Sequence, residues 1–182
     1  MSAFTLDLTA LPDGLSRVTE ESEARGLGLP EPDWPGSIQA TLEVEKTVDR
    51  ISVRGILEAR ARLECGCCLT FFERAVRADF RVFAERAGTG PRRDEEALAR
   101  DAYMKFHDGR RLDLREDARD SLLLEIPIAP RCREECAGLC PRCGGDRNLG
   151  ECACPPEVDE RWSPLLDLDL GDGLGRSTER TL

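Results

Sequence analysis

A chain of 182 residues, 40% apolar and 34% charged, can bury one sizeable core with solvated ends, or a core plus a small metal-held lobe. Its net charge of −10 works against a general nucleic-acid coat, whose affinity comes from neutralising phosphates. With 6 Phe, 2 Trp and 1 Tyr there is little material for an extended base-stacking platform.

Phe4 to Leu8 alternates and reads as a short strand. Residues 12–37, broken by Pro30, Pro32 and Pro35, read as loop or weak helix. A period of two then begins, with Ile38, Ala40, Leu42 and Val44 on one side and Gln39, Thr41, Glu43 and Glu45 on the other. It is clearer between Ile51 and Cys65: Ile51, Val53, Leu57, Ala59, Ala61 and Leu63 take odd positions, and Arg54, Glu58, Arg60, Arg62 and Glu64 even ones. Val76, Ala78, Phe80, Val82 and Ala84 resume the alternation. Such segments are half-buried antiparallel strands with one wet face. Residues 86–100 lack an apolar stripe at their start and read as a mobile connection. Near Asp113 a helix is expected, with Leu114, Ala118, Leu122 and Ile126 on one stripe and Pro127 ending it. Ser163 and Pro164 fit the cap and first position of a short last helix, and the Gly-rich tail from Gly171 reads as disordered.

These elements predict an α+β fold: a mostly antiparallel sheet, one or two helices and a zinc-held C-terminal lobe. The expected organisation is a sheet domain over residues 1–130, a cysteine-rich lobe with a short helix over 131–170, and a tail over 171–182. No segment has the charged start, apolar middle and small-residue cleavage site of a signal peptide. No apolar run approaches the roughly 18 residues of a membrane span. The expected location is therefore the cytoplasm, where clustered cysteines bind metal more often than they form disulfides.

Nine cysteines carry the chemistry. Cys140-Pro141-Arg142-Cys143-Gly144 is a C-x2-C turn that delivers two thiolates to one ion, and Cys152 and Cys154 close the tetrahedron from across a loop. A catalytic zinc keeps an open position and often uses histidine. The sole histidine, His107, lies outside the cluster and reads as a surface or hydrogen-bonded residue. This first site is therefore read as closed and structural. Cys65-x2-Cys68 is a second knuckle between two strands, and Cys132 and Cys136 remain to complete it, leaving Cys67 over. Buried free thiols and a redox pair are the alternatives for that set. No phosphate-cradling loop, nucleophile elbow or paired carboxylate appears. Arg54, Arg60 and Arg62 share one side of their strand and Arg77 and Arg81 one side of the next. They form either an ordinary solvated face with Glu58, Glu64 and Asp79 as cross-strand partners, the default for a half-wet sheet, or a nucleic-acid-binding patch.

Three segments together resemble a known family. They are Leu63-Glu64-Cys65-x2-Cys68 ahead of Phe71 and Phe72, then Leu122-Leu123-Leu124-Glu125-Ile126-Pro127, then the cysteine block 132–154. In this order they resemble the YceD family, the bacterial large ribosomal RNA subunit accumulation proteins, over roughly residues 35–168; residues 159–165 look like that family's closing segment. The resemblance implies a non-enzymatic role in 23S rRNA accumulation and large-subunit assembly. Its partner would be a large-subunit precursor, met through rRNA or through a basic ribosomal protein; an acidic chain suits the latter. The tail after Pro164 is acidic, unlike some relatives' basic ends, and some relatives lack the later cysteines. A zinc-ribbon adaptor of the transcription machinery and a C-x2-C thiol oxidoreductase are the rival readings.

Overall fold

In the computed structural model, residues 4–86, 104–150, 152–154 and 161 are described. The chain divides into two compact units, Met1–Gly138 and Leu139–Leu182. This division falls later than the boundary read from composition at residue 130. The connection expected over 86–100 (apart from Arg86), the short helix from Ser163 and the tail over 171–182 lie outside the described residues.

The first unit is α+β. Its strands are β1 (Thr5–Asp7), β2 (Gly14–Glu23), β3 (Ser37–Lys46), β4 (Arg50–Glu64), β5 (Phe71–Arg86), β6 (Met104–His107) and β7 (Arg111–Asp113), followed by one helix, α1 (Arg115–Leu124). Five strands form a sheet in the order β2-β3-β4-β5-β6, while β1 and β7 pair separately. Every pairing is antiparallel except β5 with β6, which is parallel. The alternation in sequence becomes the two faces of this sheet. Ile38, Leu42, Val44, Val53, Leu57, Ala61, Ala78 and Val82 lie in the core, and the intervening charges face water. Gly55 is needed on the inner face, because a Cβ there would fall 2.2 Å from the ring of Phe80.

The helix expectation holds in detail. Leu114, Ala118 and Leu122 are buried and Ile126 packs against the same core, so one stripe of α1 closes over β4 and β5. The reading of residues 12–37 needs correction. Ten of them form β2, paired with β3 along its whole length, and Ala24–Leu27 make one 3-10 turn. Of the core-side positions of β2, Ser16, Val18, Glu20 and Ser22, only Val18 is apolar, so no hydrophobic alternation announces the strand. Backbone pairing and the Arg17–Glu43 cross-strand ion pair at 2.6 Å fix it instead. Among the described residues no helix is long and apolar enough to cross a membrane.

Candidate metal centres

The β4–β5 connection is a knuckle. After Glu64 the chain turns through Cys65-Gly66-Cys67-Cys68-Leu69-Thr70 and re-enters the sheet at Phe71. The Leu69 N–H donates to the carbonyl of Cys65 at 2.9 Å, and the Cys65 N–H donates to the carbonyl of Thr70 at 3.0 Å. These two bonds hold the turn so that both thiols point the same way. Beyond α1, Pro127 stops the helix and the chain returns to the hairpin tip, where the Gly66 N–H donates to the Pro130 carbonyl at 2.8 Å. That bond brings Cys132 and Cys136 to the knuckle. Gly138, at φ +70, passes so close to the Cys67 carbonyl that a Cβ would lie 3.0 Å from its oxygen.

The four sulfurs of Cys65, Cys68, Cys132 and Cys136 lie within 4.8 Å of one another. Cys65 and Cys136 are 3.8 Å apart and Cys68 and Cys132 3.7 Å. A regular tetrahedron with metal–sulfur bonds of about 2.3 Å has edges of about 3.8 Å, so the donor set fits one tetrahedral ion. The thiols are unequal. The amide N–H groups of Cys68, Cys132 and Cys67 pull the Cys65 thiol down to about 6. Burial, with hydrogen bonds from Cys68, Cys136 and Cys65, pushes the Cys132 thiol up to about 12. Four thiolates packed this closely repel one another, and a divalent cation is what lets them all ionise.

The second unit repeats the arrangement. Gly144 N–H donates to the Cys140 carbonyl at 2.8 Å, and Cys140 N–H to the Gly145 carbonyl at 2.8 Å, the same two bonds that frame the first knuckle. Gly144 supplies the left-handed residue at φ +71, and a bridge between Leu139 and Asp146 ties the two arms. Cys140, Cys143, Cys152 and Cys154 again lie within 4.8 Å of one another. The N–H groups of Cys143 and Arg142 draw the Cys140 thiol down to about 6. Hydrogen bonding from Cys143, then burial, raises Cys154 to about 12.

Both groupings expected from cysteine spacing are therefore assembled, and Cys67 is left outside them. His107 belongs to neither. It is hydrogen-bonded as expected, its Nδ1 accepting from the Gly109 N–H at 3.0 Å, but it is buried at 7% exposure rather than on the surface. Burial lowers its pKa.

Arg54, Arg60, Arg62, Arg77 and Arg81 all lie on the outward face of β4 and β5 and are exposed. Arg60 pairs with Glu73 at 3.6 Å and Arg77 with Glu58 at 3.5 Å. The guanidinium of Arg62 stacks 4.7 Å over the Phe71 ring. Arg54 and Arg81 face each other across the two strands. Sequence reasoning placed the five on one side and expected Glu58 among their partners, as Arg77 shows; it missed Glu73 and Phe71 as partners and that two like charges are directly opposed.

The family model described as large ribosomal RNA subunit accumulation protein YceD matches residues 53–169, a span that contains all nine cysteines. An uncharacterised protein of Mycobacterium leprae is 31% identical over 144 residues, covering 79% of this chain and 64% of that protein. The chain thus spans slightly less than two thirds of that relative's length. An uncharacterised protein of Mycobacterium tuberculosis is 30% identical over 174 residues, covering 92% of this chain and 82% of its own. A third relative, from Arabidopsis thaliana, is named large ribosomal RNA subunit accumulation protein YCED homolog 1, chloroplastic. It is 36% identical over 58 residues, 31% of this chain and 18% of that protein. No solved structure matches the chain. The paired knuckles therefore sit within a recognised sequence family, and this protein belongs to the YceD family.

Proposed function

We propose that this chain is a non-enzymatic cytoplasmic factor that supports accumulation of 23S ribosomal RNA and assembly of the large ribosomal subunit, with one structural zinc ion in each four-cysteine group. The observation that carries the reading is membership of a family described by large-subunit rRNA accumulation, a description shared by the plant relative's name. The metal reading draws its support from the sulfur–sulfur distances of 3.7 and 3.8 Å and from all-thiolate donor sets, which favour zinc over hard cations. Four thiolates per ion leave no open coordination position for a substrate, which favours scaffolding over catalysis. The partner in this reading is a precursor of the large subunit, reached through rRNA or a basic ribosomal protein.

Depletion of the protein in its host tests the role. The expected result is a fall in 23S relative to 16S rRNA and a deficit of large subunits on a sedimentation gradient, with the protein itself migrating with large-subunit precursors. An unchanged gradient, or migration with RNA polymerase instead, would overturn the proposal and favour a transcription adaptor.

A further inference from the structure

We propose that the outward face of β4 and β5 holds a binding site for single-stranded RNA, in which Arg54 and Arg81 clasp one backbone phosphate and Phe83 stacks a base. The inference rests on the proposed role in rRNA accumulation and names the surface that would meet the RNA.

The starting observation is an electrostatic conflict. Arg54 and Arg81 are direct register partners on adjacent antiparallel strands, and like charges so opposed destabilise a sheet. Neighbouring arginines of the face have partners: Arg17 takes Glu43, Arg77 takes Glu58 and Arg60 takes Glu73. Glu43 is the register partner of Arg54 on β3, yet its carboxylate is turned to Arg17. Asp79 shares the face but pairs with neither arginine among the described residues. The two arginines thus lie in register with neither in an ion pair among the described residues, beside a groove of about 430 Å³ that they line together with Glu43, Glu58 and Asp79.

One anion placed between them would relieve the conflict, and a phosphodiester suits it. Its two non-bridging oxygens each accept from a guanidinium fork. Phe83 follows Arg81 on the same face and leaves 53% of its surface in water. An exposed ring beside two arginines offers a π-face to an unstacked base. An acidic peptide would satisfy the arginines but has no use for the ring, and a duplex has no splayed base to give it. The chain's net charge of −10 rules out an indiscriminate coat, but not one built site on a face where arginines outnumber acids.

Titration of the full-length chain against a short fluorescent single-stranded RNA of 23S sequence, repeated over a salt series, tests the site. Arg54→Gln and Arg81→Gln are each expected to weaken binding, and the two together to lower the salt slope by about 0.7, the value for the one phosphate they share. Phe83→Ala should weaken binding roughly five- to 150-fold with the slope unchanged. Because Arg81→Gln removes a repulsion, its melting temperature should hold or rise, so lost binding cannot be put down to unfolding. The proposal is overturned if the wild-type chain binds this RNA no better than the Arg54→Gln/Arg81→Gln double variant, or if polyglutamate competes as well as RNA. Complementation separates it from the functional reading. A double variant that fully restores 23S levels in depleted cells removes this site alone, whereas depletion without an rRNA defect removes the role itself.

Discussion

The two cysteine knuckles share a hydrogen-bond frame and differ in what surrounds them. In each, the residue after the second cysteine is left-handed and donates to the first cysteine's carbonyl, and the first cysteine donates to the residue beyond. At 140–145 the left-handed residue is Gly144, which adopts that conformation at no steric cost. At 65–70 it is Leu69, at φ +60, where an L-residue with a Cβ costs about 1–2 kcal/mol. The first knuckle is spliced between β4 and β5, which pair over Arg50 to Glu64 and Phe71 to Glu85, and Cys65 is fully buried. A long hairpin can impose a strained turn. The second knuckle has no strands beyond the single bridge at Leu139 among the described residues, and Cys143 is exposed. Its turn must be unstrained, and in the proposed reading a bound ion would be its main source of order.

Replacing one ligand in each knuckle should separate these roles most sharply. Intact protein is expected to carry about two zinc ions, four cysteines to each, and either Cys68→Ser or Cys143→Ser should leave about one. In Cys68→Ser the loss falls on the fold. The segment after α1 loses its thiolate clip to the hairpin tip, and the sheet domain should lose more than about 4 kcal/mol, since loss of a bound metal is among the few single changes that reach so far. In Cys143→Ser the melting of the sheet should stay unchanged while proteolysis opens the chain after Gly138. Elemental analysis, thermal melts and limited digestion check this. Two retained zinc ions in Cys143→Ser, or equal melting losses in both variants, would contradict the division of labour.

The partition of cysteines was legible because arithmetic constrains it: eight thiols in four close pairs allow few tetrahedra, and the strands around Cys65 and Cys68 were plain from their alternation. The central strands and α1 were legible for the same reason, since their buried residues recur at 2 or near 3.6. What escaped were features fixed by neighbours rather than by pattern. Edge strand β2 buries mostly polar positions. The strands β6 (Met104–His107) and β7 (Arg111–Asp113) are too short to show a period. The parallel pairing of β5 with β6 is not announced by the alternation of either strand. The opposition of Arg54 to Arg81 needs the register, which one strand alone does not encode.

Glycines sharpen the comparison at intermediate cost. Gly138→Ala combines a left-handed φ with a Cβ only 3.0 Å from the Cys67 carbonyl oxygen, a backbone atom that cannot swing aside. A loss of roughly 2–3 kcal/mol is expected in the first unit. Gly144→Ala meets nothing within 4 Å, so only the conformational strain remains, about 1 kcal/mol. Zinc competition should then show about fivefold weaker retention at the second site and none at the first. A Gly144→Ala protein as impaired as Gly138→Ala would mean that the second turn is packed rather than free.

Leu69→Gly should have the smallest effect, because three contributions oppose one another. Removing the side chain relieves about 1–2 kcal/mol of left-handed strain. Glycine returns about 0.5–1 kcal/mol of that as greater freedom in the unfolded chain. Leu69 is 55% exposed, so truncation also forfeits a little under half of the roughly 1.5–3 kcal/mol that full burial of a leucine contributes. The sum lies within about 1 kcal/mol of zero, and denaturant melts of the metal-loaded protein should be almost superimposable on the wild type. A loss above about 2 kcal/mol would show that Leu69 is kept for what its side chain touches. A near-neutral result would show that the hairpin absorbs the strain, and that the second knuckle, lacking such a hairpin, has to use glycine at the same place.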